Sequence, residues 1–196
     1  MPPRVLLALT TLCLFVAAGI GGVVLARAGE DDAAPAPGWE GAIRPPGTRL
    51  PDFALRDQDG ELVTAAQLRG QPVIVTFVYS TCEDTCPAQV MSIRGALDRL
   101  GRDVPVLGVS VDPANDTRRR ARAFLLEQSM TGRMRFLLGD ARGLAQLWRA
   151  FGIAPRRDGL EHTAHTVIVD AAGRQRIGFP ASQLTPSRLA HDLARL

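Results

Sequence analysis

The chain has 196 residues, 46% of them hydrophobic, enough for one sizeable core with appendages; a large multidomain enzyme is excluded. Its 23 basic residues are all arginine and stand against 20 acids for a net charge of +3, a bias we assign to coding composition rather than to binding. Arg118, Arg119, Arg120 and Arg122 precede Phe124 on a helical pattern and are expected to form a solvated helix face, so no nucleic-acid partner is expected.

From Val5 to Ala26 run 22 uncharged residues, which as a helix would extend roughly 33 Å and cross a bilayer. Residues 1–28 are therefore expected to be a single-pass membrane anchor that keeps the rest of the chain on the extracytoplasmic side of the cell membrane. Arg4 before the run and Arg27 after it give only a weak positive-inside preference. Ala26-Arg27-Ala28 has the small-x-small form of a cleavage site, but the apolar run is longer than a secretory signal needs. Residues 29–47 are rich in Ala, Pro, Gly and acid and are expected to be an extended tether with little to bury apart from Trp39.

Residues 48–196 are expected to form one domain. Phe53 to Leu55 and Leu62-Val63 flank Asp57-Gln-Asp-Gly60, the pattern of a hairpin. Thr64 and Gln67 have capping-box spacing for a short helix ending at Gly70. Pro72 to Tyr79 is a near-continuous apolar and β-branched run, as in a central strand covered on both faces. Pro87 suits a first helical turn, and Val90, Ile93, Leu97 and Leu100 follow at helical spacing. A second buried strand from Val104 to Val111 completes a right-handed βαβ unit with a parallel pair. Helical patterns recur from Thr117 to Gln128 and from Ala141 to Phe151, around a short strand from Arg135 to Leu138. A second hairpin, Thr166 to Val169 and Arg174 to Phe179, precedes a closing helix begun at Thr185-Pro186. This order predicts an α/β domain of thioredoxin-like layout, a central mixed sheet flanked by helices, which as a fold hosts reductases, peroxidases and metal carriers alike.

Of the three cysteines, Cys13 lies in the apolar run, which leaves Cys82 and Cys86 to the domain. One pair is too few for a disulfide-stapled scaffold and points to chemistry at one place. Cys82-Glu-Asp-Thr-Cys86-Pro87 sits between a buried strand and a helix, where the partial positive charge of the helix N-terminus favours thiolate, both the nucleophile and the soft metal ligand. Two thiolates leave a metal under-coordinated, and a histidine is the usual third donor. His191 falls in the terminal amphipathic helix and is expected at or near the surface. His162 ends a loop just before a strand, beside the cysteine turn in such a fold, and is the expected ligand. His165 enters that strand and is expected to take a hydrogen-bonded structural role. Ligand types alone leave copper and zinc both open.

From Thr48 onward the chain resembles the SCO/SenC family at four places: PDFALRDQDGELVTAAQLRGQPVIVTFVYSTC, the Cys-x-x-x-Cys-Pro motif, VSVDPANDT, and EHTAHTVIVDAAG. The family's histidine stands eleven residues before the hairpin glycine, and counting back from Gly173 reaches His162. The resemblance implies a thioredoxin-like fold and copper bound by Cys82, Cys86 and His162. It also implies that copper is taken from a donor protein and delivered to the binuclear copper site of cytochrome c oxidase, a metallochaperone role with reduction of the partner's cysteines as an added one. This chain departs from the family at Val78-Tyr79-Ser80, where Gly-Tyr-Thr is common, and in carrying His165 as an extra imidazole. The chief alternative is a membrane-anchored thiol–disulfide oxidoreductase, since an exposed thiolate pair serves exchange equally. Against it, Ala164 stands where such enzymes place a cis-proline; against a peroxidase, the upstream proline and threonine pattern is missing ahead of Cys82.

Overall fold

The computed structural model describes residues 38–155 and 163–196. Its centre is a six-stranded sheet in the order β1-β8-β7-β4-β5-β6. The strands are β1 (Ala42–Ile43), β4 (Val73–Val78), β5 (Val106–Ser110), β6 (Met134–Leu137), β7 (His165–Val169) and β8 (Gln175–Pro180). A separate antiparallel hairpin joins β2 (Ala54–Arg56) to β3 (Leu62–Thr64). Helices α1 (Thr85–Leu100), α2 (Arg118–Glu127), α3 (Ala141–Phe151) and α4 (Pro186–Leu193) flank the sheet.

Strand β4 is buried along its whole length, as a run without alternation requires, and it pairs parallel to β5 and antiparallel to β7. The sheet is therefore mixed, as expected from the sequence. Helices α1 and α2 lie on one face: Phe124 meets Phe136 edge-on at 5.9 Å, and the Arg94 guanidinium donates to the Gln128 carbonyl at the end of α2. Successive crossovers in one direction across a parallel sheet stay on one side when each is right-handed. Helix α3, which returns the chain to β7, covers the other face, with Phe151 against Phe77 at 5.3 Å and the Trp148 indole N–H donating to the Ser110 carbonyl. The arginines of α2 are exposed, as a solvated face requires.

The hairpin turn is built by Asp57, whose Oδ1 accepts from the N–H groups of Asp59 and Glu61, while Gly60 takes a left-handed φ of 87°. The Thr64 N–H donates to Gln67 Oε1 in the expected capping box, and the turn that follows, Ala65–Leu68, is 3₁₀.

The tether expected over 29–47 is corrected at its C-terminal end. Ala42 and Ile43 form β1 and pair with Gly178 and Ile177 of β8. Gly41 makes this approach: a Cβ there would lie 2.4 Å from Ile177 and 2.7 Å from Phe179. The N–H groups of Glu40 and Gly41 donate to the buried Asp192 carboxylate, and the Arg195 guanidinium stacks over the Trp39 ring at 5.2 Å. A two-residue strand has no periodicity, so only its partners reveal it. The Val5–Ala26 run and the start of the tether lie outside the described residues, and among those described no helix is long and apolar enough to cross a membrane.

Candidate metal centre

Cys82 and Cys86 lie at the C-terminal end of β4, where the chain turns into α1. Both are free thiols, and both are buried. Cys82 precedes the helix, its N–H held by the Tyr79 carbonyl, and its sulfur accepts from the Cys86 N–H at 3.2 Å. A thiol thus caps an amide of the first turn, where a helix usually presents an oxygen. The contact with the Cys86 thiol holds Cys82 well below an ordinary thiol, at about 5, against the opposing effect of burial. The Cys86 N–H, the Tyr79 hydroxyl and the Asp84 N–H reinforce it. Cys86 is pushed up, first by its bond to the Cys82 sulfur and then by burial, so it keeps its proton. The pair is one thiolate beside one thiol, which suits a soft metal ion and disulfide exchange alike.

An opening of about 400 Å³ bounded by Tyr79, Thr81, Cys82, Glu83, Asp84 and Thr85 leads to this sulfur. Thiolate is the reactive form, so the metal-free, reduced protein is expected to show alkylation of Cys82 by iodoacetamide at a constant rate above about pH 5. Below that the rate should fall about tenfold per pH unit. Cys86 should stay unmodified at neutral pH while folded, and mass spectrometry of peptides after timed quenching checks both statements.

Reading the sequence by itself missed Asp116. This carboxylate is half-buried and accepts from the Ser80 N–H at 2.7 Å and from the Ser80 and Ser110 hydroxyls at 2.5 Å each. It thereby fastens the stretch entering the cysteine turn to the end of β5. Burial raises its pKa while the three donors lower it, burial having the larger effect. Its place within VSVDPANDT, directly after a buried strand, was the only available signal.

The three histidines separate clearly. His162, the expected third ligand, falls in residues 156–162, outside the described residues. His191 is partly exposed and its Nδ1 lies 2.8 Å from Asp192, in keeping with a surface position. His165 opens β7. Its neighbour Thr166 faces α1, meeting Thr76 at 2.9 Å, so alternation sends the imidazole to the α3 face, where Gly178 makes room for it. The expected hydrogen-bonded role does not hold at Nε2, which is buried without a hydrogen-bond partner among the described residues. Burial, helped by the Arg44 charge, lowers its pKa to about 4.

An unfolded histidine takes up its proton near pH 6.5. Folded His165 stays neutral until about pH 4, so its contribution to stability falls as pH drops from 6.5 to 4 and is constant above that window. Urea unfolding at pH 7 and pH 4.5 should show a loss of at most about 3 kcal/mol from this group, and His165→Leu should remove that part of the slope.

Among the described residues no three His, Cys, Asp or Glu side chains converge as a metal site. The SCO1/SenC family signature matches residues 43–196. The chain is similar to the copper-bound structure of ScoI from Bradyrhizobium japonicum, at 32% identity and a TM-score of 0.62, over 74% of this chain and 97% of that one. The mitochondrial SCO2 homolog of Bos taurus is 29% identical over 143 residues, 70% of this chain and 53% of that protein. Peroxiredoxin Bcp of Escherichia coli is 37% identical over 81 residues, 41% of this chain and 52% of that protein. The matched segments thus span about half the length of these two curated relatives.

Proposed function

The chain belongs to the SCO1/SenC family, and on that premise we propose that it is a membrane-anchored copper metallochaperone serving the binuclear copper site of cytochrome c oxidase. Copper is its cargo, held by Cys82, Cys86 and His162 of a thioredoxin-like domain and received from a donor protein. The observation that carries the reading is the sulfur pair: two buried, free cysteines at a helix N-terminus, with the Cys82 sulfur accepting from the Cys86 N–H and its pKa lowered by the Cys86 side chain. Such a donor set fits Cu(I), because soft thiolate ligands select soft ions. The copper-bound relative from Bradyrhizobium japonicum supports the choice of metal. The uncharged run Val5–Ala26 supports a single-pass anchor that leaves the domain extracytoplasmic and near an integral membrane partner.

A second reading, thiol–disulfide exchange, is favoured by the thiolate at Cys82 and by the partial likeness to a peroxiredoxin. Metal analysis distinguishes the two. The reduced chain, loaded with Cu(I) without oxygen and then challenged with a chelator, should retain about one copper per chain. Retention well below that, with dithiol exchange intact, leaves the oxidoreductase reading in place of the metallochaperone.

A further inference from the structure

Asp116 ends a loop, Asp112 to Asp116, that is closed on itself just beyond β5. The Asn115 and Asp116 N–H groups donate to the Asp112 carbonyl at 3.0 and 2.9 Å, and the Asn115 side-chain amide donates to the Asp112 carboxylate. Ser110, the last residue of β5, is fully buried, and its carbonyl is held by the Trp148 indole of α3. Asp116 Oδ2 takes the hydroxyl of this fixed residue, while Oδ1 takes the N–H and the hydroxyl of Ser80, two residues before Cys82. From Ser80 the turn continues through the Cys82 N–H on the Tyr79 carbonyl to the Cys82 sulfur, which accepts from the Cys86 N–H. The carboxylate is thus a post between the end of β5 and the sulfur pair.

Its partners orient it without neutralising it. One amide and two hydroxyls carry no net charge, so the half-buried carboxylate keeps its own. Out of bulk water such a charge acts on groups well beyond hydrogen-bond range. Cys86 feels it: the bond to the Cys82 sulfur and burial do most to hold its proton, and the Asp116 charge adds to them. Copper bound to the same sulfurs is subject to the same field. Cu(I) carries one positive charge fewer than Cu(II), so a fixed negative charge nearby favours Cu(II).

We propose that Asp116 is a positioning residue of the copper site whose fixed charge lowers the reduction potential of the bound copper. The proposal rests on the reading that Cys82 and Cys86 hold the metal, and it names the group that sets which oxidation state they favour. The same charge disfavours the thiolate of the reduced pair relative to the neutral disulfide, which makes the metal-free dithiol a stronger reductant.

The test uses the full chain in detergent at pH 7. Asp116→Asn keeps the shape, an acceptor for Ser80 and a hydrogen-bonding group for Ser110, and removes only the charge. In a redox titration of the copper-loaded protein it should favour Cu(I) about tenfold more than wild type, a rise of about 59 mV for one electron. The metal-free protein supplies a second readout, equilibrium with glutathione. There Cys82–S⁻, Cys86–SH, one glutathione disulfide and one proton give the Cys82–Cys86 disulfide and two glutathione thiols, and Asp116→Asn should lower this equilibrium constant about five- to tenfold. Ser80→Ala loosens the turn and leaves the charge, and both quantities should stay within about twofold of wild type. Asp116→Ser, neutral and smaller, should shift both in the direction of Asp116→Asn and replaces it if circular dichroism shows that variant unfolded. Values for Asp116→Asn within about twofold of wild type overturn the proposal and leave Asp116 a purely structural residue. An equal shift in Ser80→Ala overturns the electrostatic cause in favour of geometry. If the wild type holds no copper, the copper reading fails by itself, and an unchanged glutathione equilibrium in Asp116→Asn is then what overturns the role of Asp116.

Discussion

Cys86→Ser and Cys82→Ser are each expected to abolish tight Cu(I) binding, the largest functional effect of any single change in this chain. Each removes one of two sulfurs, and a neutral hydroxyl is a poor ligand for a soft ion. In the metal-free protein the two differ. Cys82→Ser replaces the sulfur that accepts from the Cys86 N–H by a neutral hydroxyl, which can still cap the first turn of α1, but Cys86 loses its charged neighbour. Cys86→Ser keeps a backbone N–H at the same place and should leave Cys82 reactive toward alkylation. His162→Ala should also weaken copper strongly, beyond the 10–100-fold loss typical of removing a group that only supports a ligand. His165→Ala should cost no more than that, because its imidazole turns to the α3 face of the sheet. Chelator competition on the four variants, each reduced and anaerobic, gives the order directly. If His165→Ala proves more damaging than His162→Ala, the eleven-residue register from Gly173 is wrong even where copper binding survives.

Asp192→Ala is expected to cause a large loss of stability away from the cysteines. Asp192 is fully buried in α4, and its carboxylate accepts from the Glu40 N–H at 2.9 Å and the Gly41 N–H at 2.9 Å, with His191 Nδ1 at 2.8 Å. Alanine leaves two backbone donors without an acceptor at the start of β1, each worth about 1–3 kcal/mol when buried. A total near 3 kcal/mol is expected, measured by urea unfolding at pH 7. Asp192→Asn keeps one acceptor oxygen and should lose about half as much. Amide exchange at Glu40 and Gly41 should quicken in both variants, while exchange in β4 changes only with global stability. Equal quickening in both places would show that the carboxylate supports the whole fold rather than this segment.

The sequence by itself determined the parts of this protein whose signals are local. The β4 run, the helical spacing behind Pro87, the Asp57–Gly60 turn and the β7–β8 hairpin are all legible because hydrophobic period and turn chemistry act within a few residues of each other. The cysteine pair was legible for the same reason: a thiol four residues from another, between a strand and a helix, needs no partner from afar. Tertiary structure alone decided the rest. Strand β1 exists because Gly41 allows Ala42 and Ile43 to close on β8, and because Asp192, more than a hundred residues away, accepts their neighbours' amides. Asp116 became part of the cysteine turn only when β4 and β5 paired and brought Ser80 and Ser110 to one carboxylate. Gln89 occupies a position that the helical pattern marks simply as inward, yet its amide faces two threonines from two different strands and, among the described residues, keeps one atom unbonded. Hydrophobic periodicity says which face of an element is buried. Which polar groups meet there, and which are left wanting a partner, depends on distances between segments that only the folded chain brings within bonding range.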